Sequence, residues 1–257
     1  MQKMCGESFN SNLTGQAYNA TSGLREPANL TGTITLSEAN VGKTGVEPGT
    51  YACDSQEMFT VYGGGAYSDT MYQTEFDKMA TSVAKNGGFY VGRYETGGFN
   101  ETKVVSKPDR GMSGNGDTNN TTWYKMYQMQ KDFGNEIVGS SMIWGCQYDQ
   151  AMKFVNGKLD GTGQTFSVTE PNSNRHLGSS TIGTGNTPAD FAANIYDLAG
   201  NMWEWTLEAQ SFNGAGAFDR RVGRGGCYNF MDATAQRSTI TSYSGSTRGS
   251  RLALYVK

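Results

Sequence analysis

Apolar residues recur at helical spacing in three segments of the chain, YQTEFDKMATSVAKN, TTWYKMYQMQKDFG and YDQAMKFVNG. In the first segment Phe76, Met79 and Val83 share one helical face, and the Asn-Gly-Gly at 86–88 ends the helix. Gly134 and the Asn-Gly at 156–157 end the other two in the same way. The pattern therefore predicts three helices, each with an apolar face that packs on a core.

Short apolar runs between turn residues predict strands at 89–94 (FYVGRY), in RVGRGGCYN, in SRLALYVK and, nearer the N-terminus, in GTITLSEANVG. Residues 157–190 carry few apolar anchors and are too many for an ordinary connection, so we expect them to be functional, mobile or both. We divide the chain into a polar, turn-rich N-terminal extension at 1–65 and a main domain at 66–257.

Composition is consistent with one large domain or two small ones. Hydrophobic residues make up 36% of the 257 positions, which is enough to bury a core. The 35 glycines are about twice the usual share of roughly 7%, and they indicate many turns and irregular loops. We expect those loops to carry the function.

Charge and apolar patterning exclude several partners. A formal net charge of −3 gives no footprint for nucleic acid or an anionic membrane. No apolar run is long enough to span a bilayer, and MQKMCGESFNSNLTG lacks the apolar core of a secretory signal, so we expect no direct membrane insertion. The 4 cysteines lie far apart beside 1 histidine, which disfavours a zinc site and leaves up to two disulfides open.

The segment NIYDLAGNMWEW at 194–205 crowds two tryptophans and two carboxylates into a chain otherwise rich in Gly, Ser, Thr and Asn. Its GNMWEW, with RRVGRGGCYN at 220–229 and the closing RGSRLALYVK, resembles the formylglycine-generating-enzyme type of C-type lectin fold. The resemblance covers roughly residues 76–257. It implies an α+β domain that is loop-rich, with small twisted antiparallel sheets, and it implies no single function.

The resemblance also implies a structural calcium site. In enzymes of the family calcium is bound at the positions that match Asp197, Gly200, Met202 and Glu204 of this chain. Calcium takes carboxylate and main-chain carbonyl oxygens at such short, irregular spacing. A carboxylate in this kind of turn can equally accept backbone N–H bonds, so both interpretations are open.

A second group of residues is predicted to be scaffold. Trp203 and Trp205 are most simply buried side chains that fix the loop, because indole rings bury a large area. We assign Arg224, Gly225 and Gly226 to the same scaffold.

Enzymes of the family oxidise a substrate cysteine through two active-site thiols that hold copper. The matching stretch here has no cysteine from 229 to 238, and Cys227 lies where those enzymes usually have serine. Because a Cu(I) thiolate site needs at least two converging soft ligands, we expect no copper and no enzymatic activity. A cysteine oxidase and a fixed-specificity lectin-like binder remain the alternatives.

Residues 221–257 resemble the variable region of proteins that diversity-generating retroelements rewrite by adenine-directed mutagenesis. Mutated Asn codons of the AAY type yield Ser, Thr, Ile, Tyr, Phe, Asp, Cys, Gly and Ala, but never Lys, Glu, Gln, Met or Trp. Residues 238–247 contain only reachable types, whereas Met231 and Gln236 are unreachable and are interpreted as fixed. An ordinary Ser/Thr linker passes the same test, so that interpretation is also open.

These features predict a non-catalytic protein that binds a protein or glycan ligand on a cell surface through diversified side chains. Tyr supplies contact area in such adaptable surfaces, and small polar residues supply hydrogen bonds. We expect the protein on a phage virion, as a tail fibre, or on a bacterial cell surface, and either an oligomer or a monomer suits these settings. The predicted ligand-binding residues are Cys227, Asn229, Phe230, Asp232, Ala233, Thr234, Thr239, Ile240, Thr241 and Tyr243.

Overall fold

The computed structural model describes residues 2–5, 69–99, 103–108, 123–167, 183–210, 220–228, 238–241 and 247–257. The helices are α1 (Asp69–Asn86), α2 (Trp123–Lys131) and α3 (Gly145–Val155). The strands are β1 (Gln2–Cys5), β2 (Gly88–Val91), β3 (Val138–Met142), β4 (Phe191–Ala192), β5 (Ile195–Tyr196), β6 (Trp203–Gln210), β7 (Arg220–Arg224), β8 (Ser238–Thr241), β9 (Arg248–Ser250) and β10 (Leu252–Val256).

The three helices predicted from apolar spacing are confirmed. α1 buries Met79 and Val83, and it ends just before Gly87, whose φ is 70°. Glycine accepts this left-handed conformation without a Cβ clash, and so it terminates the helix. α3 begins about a turn earlier than the apolar spacing predicts, where the Gln147 side chain accepts a hydrogen bond from the Trp144 N–H at 3.0 Å.

The first sheet has the strand order β1-β2-β10-β3, and every neighbouring pair in it is antiparallel. α1 packs against β2 and β10, and α2 packs against β3. β1 belongs to the predicted N-terminal extension at 1–65, so the start of that region adds a strand to the main sheet. The predicted strand in GTITLSEANVG lies outside the described residues.

The second sheet has the order β8-β7-β6-β9, and it carries both GNMWEW and the predicted variable region. β6 pairs antiparallel with β7, but it pairs parallel with β9, where Trp203 lies opposite Arg248. β8 and β9 therefore run in the same direction on the two edges of the sheet. Apart from this parallel pair, the predicted α+β class with small antiparallel sheets, few helices and many loops is confirmed.

The core lies where the helices meet both four-stranded sheets. Trp123, Trp205 and Phe89 are fully buried. Trp123 Nε1 donates to the carbonyl of Thr206 at 3.0 Å and so ties α2 to β6. Among the described helices, none combines the length and the apolar character needed to cross a membrane.

Candidate functional site

A tightly wound turn lies between β4 and β6. Ala193, Asn194, Asp197 and Asn201 all have positive φ, between 50° and 67°, and Gly200 has a φ of 84°. Asn and Asp enter this region more readily than other residues with a side chain, because their short polar groups hydrogen-bond locally. The Asn, Asp and Gly residues of NIYDLAGN therefore suit these positive-φ conformations. Ala193, directly before this stretch, is the exception.

This turn and the start of β6 hold both ends of the segment 229–246. On one side, the Tyr228 N–H donates to the carbonyl of Asn201 at 3.0 Å. On the other side, the Trp203 N–H donates to the carbonyl of Thr247 at 2.8 Å. The segment that contains most of the predicted ligand-binding residues thus departs from and returns to positions next to one another on the scaffold.

Gly225 fits against the turn because it has no side chain. Its φ is +86°, and a Cβ would lie 2.7 Å from the carbonyl oxygen of Leu198 and 2.8 Å from the hydroxyl of Tyr148. That hydroxyl itself donates to Leu198 O at 2.6 Å. The Gly225 carbonyl accepts the Gly200 N–H at 2.8 Å. Gly225 is therefore fixed against the turn, and a side chain at this position would have to displace Leu198 O and the Tyr148 hydroxyl.

The other residues assigned to the scaffold are also buried. Trp205 has no exposed surface and Trp203 is 7% exposed. Arg224 is fully buried, with its guanidinium 4.9 Å from the centre of the Tyr148 ring. Gly226 is buried with a φ of 76°.

The predicted ligand-binding residues fall into three groups. Cys227 is 2% exposed, so its thiol packs inside the domain, at odds with its place in a ligand-contacting set. Thr239, Ile240 and Thr241 lie in β8 and pair with β7. The others lie outside the described residues: Asn229, Phe230, Asp232, Ala233, Thr234 and Tyr243.

Three buried carboxylates lie in or beside the turn, and a buried guanidinium pairs with one of them. Glu95, Asp197 and Glu204 are at most 1% exposed, and Arg251 is fully buried. Arg251 Nε donates to Glu204 Oε2 at 3.0 Å, and its Nη2 donates to Glu204 Oε1, forming a bidentate pair. Glu95 Oε2 accepts a hydrogen bond from the Asn201 side chain at 2.7 Å.

The carboxylates repel one another and Arg251 opposes that repulsion. Burial raises the pKa of Glu95 well above its usual value, and the charges of Asp197 and Glu204 raise it further. Arg251 and the Asn201 hydrogen bond act in the opposite direction. Burial also raises the pKa of Glu204, against the influence of Arg251. This cluster therefore depends on positive charge supplied close to it.

Two of the four positions implied to bind calcium, Asp197 and Glu204, have carboxylate oxygens that already accept hydrogen bonds from other groups. Both Glu204 oxygens face Arg251. Asp197 Oδ2 accepts the Thr184 hydroxyl and the Gly185 N–H, the latter at 2.7 Å, which matches the alternative interpretation of a carboxylate in such a turn. Among the described residues, no group of three or more His, Cys, Asp or Glu could hold a metal ion. As arranged here, the carboxylates of Asp197 and Glu204, two of the implied ligands beside Gly200 and Met202, do not fit calcium.

Comparison with known proteins finds similarity to solved structures. No protein-family model and no curated protein match the sequence. The structure of CarF is 15% identical over 66% of this chain and 87% of that chain, with a TM-score of 0.46. Treponema denticola variable protein 1 is 21% identical over 71% of this chain and 68% of that chain, with a TM-score of 0.34. The M1 variant of Major Tropism Determinant is 17% identical over 94% of this chain and 61% of that chain, with a TM-score of 0.44.

Sequence reasoning missed two residues of the buried cluster. Glu95 follows β2 after three further residues, and Arg251 lies between the polar β9 and the apolar β10. A charged residue at the edge of an apolar strand is a weak signal, since such residues usually reach solvent. Only the fold shows that Glu95 accepts a hydrogen bond from Asn201 while Arg251 donates to Tyr196, so that both contact the same segment.

Asp190, directly before β4, gives the fold a pH dependence. Burial, and then the charge of Asp197, raises the pKa of its carboxyl from 3.8 to about 8, while Asp160 adds to the rise and a hydrogen bond with Thr187 opposes it. The folded state therefore holds a proton that the unfolded state releases between about pH 4 and 8. Stability falls as the pH rises through this window.

Asp190→Asn removes that titration. We expect the variant to be more stable than the wild type by about 1–3 kcal/mol at pH 8, with a difference that shrinks toward pH 4. Urea unfolding across this pH range measures the difference. Asp132→Asn, at an exposed position after α2, is the control and should give the wild-type pH profile. A difference for Asp190→Asn that is the same at every pH would contradict the assignment.

Proposed function

We propose that this chain is a non-catalytic ligand-binding protein with a C-type lectin fold of the formylglycine-generating-enzyme type. Its ligand-binding residues lie within 221–257, in which adenine-directed mutagenesis changes side chains while the scaffold stays constant. The ligand is a protein or glycan on a cell surface, and the protein acts from a phage tail fibre or a bacterial surface.

The anchoring of the segment 229–246 carries this proposal. Main-chain hydrogen bonds to Asn201 and Trp203 fix its two ends, and main-chain bonds do not depend on the side chains between them. Residues that bind a changing ligand need a rigid support that tolerates their replacement. That support comes from buried Trp205, buried Arg224 and Gly225, which is closely surrounded by Leu198 and Tyr148.

The residue types of the segment support a binding role. Between 227 and 247 the chain is rich in Ser, Thr, Tyr, Asn and Gly, the mixture that serves adaptable recognition surfaces. Catalysis by a pair of thiols finds no support in the segment, because 229–247 contains no cysteine and the thiol of Cys227 is buried.

Replacing both Phe230 and Tyr243 with alanine tests the binding surface. We expect adhesion to the bacterial cells bound by the wild type to weaken at least about 100-fold, because aromatic anchors contribute about 2 kcal/mol or more each. The melting temperature should remain close to that of the wild type. Phe133→Ala, at a 43% exposed position outside the segment, is the matched control and should bind normally. A folded double variant that adheres like the wild type would overturn the binding assignment.

Sequencing the DNA beside the gene tests diversification separately. We expect a near-copy of the region that encodes 221–257, together with a reverse-transcriptase gene. Differences between copy and gene should fall at adenines of the copy, and they would identify the varied residues. If no copy exists, diversification is excluded, while the result for Phe230 and Tyr243 still decides whether the segment binds.

A further inference from the structure

The buried Arg251 gathers oxygens from three separate parts of the chain. Its guanidinium donates to both carboxylate oxygens of Glu204. It also donates to the carbonyl of Gly92 at 2.9 Å and to the carbonyl of Tyr196 at 2.8 Å. One side chain therefore joins the end of β2, β5 and β6.

These partners are the kind of oxygen set that a hard cation takes in proteins. Calcium binds carboxylates, often through both oxygens, together with main-chain carbonyls from an irregular loop. Arg251 donates to both oxygens of one carboxylate and to two main-chain carbonyls, and it has no exposed surface. A guanidinium supplies a permanent positive charge and five N–H donors in a fixed plane, so it can satisfy these oxygens without a metal.

The charges around Arg251 lead to the same conclusion. Arg251 and Glu204 both have no exposed surface, so their opposite charges meet inside the domain. A carboxylate enclosed in this way is costly unless a positive charge lies beside it. Glu204 has that charge within hydrogen-bonding distance, from a residue 47 positions away in the chain.

We propose that Arg251 is a built-in cation, which holds the turn before β6 in the way that calcium holds the equivalent turn in the enzymes of the resembled family. The fold, and the anchoring of Tyr228 and Thr247 at the two ends of the segment 229–246, then do not depend on calcium. The proposal concerns how the scaffold is held, and it stands whatever the segment binds.

Thermal unfolding of the full chain in millimolar calcium chloride and in excess EDTA is the first test. A ligand that binds only the folded state raises the melting temperature according to its concentration and affinity. We expect the two melting temperatures to agree within about 1 °C. A wild-type chain that loses about 5 °C or more in EDTA would overturn the proposal, since an ion would then be supporting the fold.

The variant Arg251→Ala makes the test sharper, because it leaves Glu204 and the two carbonyls without their donor. We expect a melting temperature at least about 10 °C lower in EDTA, and a partial recovery in calcium that the wild type lacks. Arg248→Met is the matched control, since Arg248 lies on adjacent β9 and faces the Trp205 ring at 5.8 Å. It should show no response to calcium.

Two further outcomes decide the matter. A folded Arg251→Ala chain with no calcium response would contradict the idea that the guanidinium takes a cation's position. If this variant does not fold, the conservative Arg251→Lys replaces it. Lysine keeps the charge but lacks the bidentate fork, so we expect a smaller loss of melting temperature and, again, no calcium response. A calcium-dependent Arg251→Lys chain would overturn the proposal.

Discussion

Replacement of Trp205 by alanine should lower the free energy of unfolding by about 3–5 kcal/mol, the cost of emptying a large buried site. Trp205 has no exposed surface, and its main chain pairs with Gly223 on one side and Ser250 on the other. Trp205 lies in β6, an inner strand of the second sheet. Because β6 is paired on both sides, its backbone cannot shift far to fill the cavity left by the indole ring without breaking that pairing. Urea denaturation at neutral pH gives the value.

Two variants make the result for Trp205 specific. The Trp205 Nε1 has no hydrogen-bond partner among the described residues, so Trp205→Phe should cost much less than Trp205→Ala, since it loses ring volume but no bond seen there. Phe133→Ala, at a 43% exposed position, should change stability by less than about 1 kcal/mol. If Trp205→Ala lost no more than Phe133→Ala, Trp205 would not be part of the scaffold.

Gly225→Ala should cost about 3 kcal/mol or more, although it adds only a methyl group. Part of the loss, about 1–2 kcal/mol, is the left-handed backbone at φ +86°, which a residue with a Cβ adopts unfavourably. The rest comes from the approach of the Cβ to Leu198 O and the Tyr148 hydroxyl. Those two groups are hydrogen-bonded to each other at 2.6 Å, so neither can yield without losing that bond.

The chain contains a matched control for the backbone part of this cost. Gly157 has a similar φ of +76°, but a Cβ there would meet nothing within 4 Å. Gly157→Ala should therefore lose only the conformational penalty, and the difference between the two variants measures the contact with the turn. Equal losses in denaturant unfolding would show that Gly225 does not pack as the structure has it. Gly225→Ala should also weaken ligand binding, because Gly225 lies three residues before Tyr228, whose N–H fixes one end of the segment 229–246.

Local sequence signals predicted the local structure well. The helices α1 and α2 and the strands β7 and β10 follow from apolar spacing and from glycines that end an element, since both act between residues a few positions apart. The burial predicted for Trp205 follows from the large area of its indole ring, and Trp205 has no exposed surface. The scaffold role assigned to Trp205 and Gly225 stays a prediction.

Contacts between distant parts of the chain could not be predicted in this way. The parallel pairing of Trp203 with Arg248 depends on the path between β8 and β9, which no short pattern encodes. The pair of Glu204 with Arg251 spans 47 residues, and each partner taken alone looks like an ordinary surface charge. Burial of Cys227 likewise reflects its neighbours in the fold, whereas its position beside residues predicted to vary suggested exposure.

The two fixed ends at Tyr228 and Thr247 have a consequence for evolution and engineering. Tyr228 and Thr247 are held by neighbouring scaffold residues, and β8 is held by its pairing, so insertions at 229–237 or 242–246 would add chain between points that are already fixed. Each doubling of the length of a flexible connection costs only about 0.6 kcal/mol in closure entropy. Foreign peptides of different lengths could therefore be displayed there, and the chain would serve as a general carrier for loop libraries.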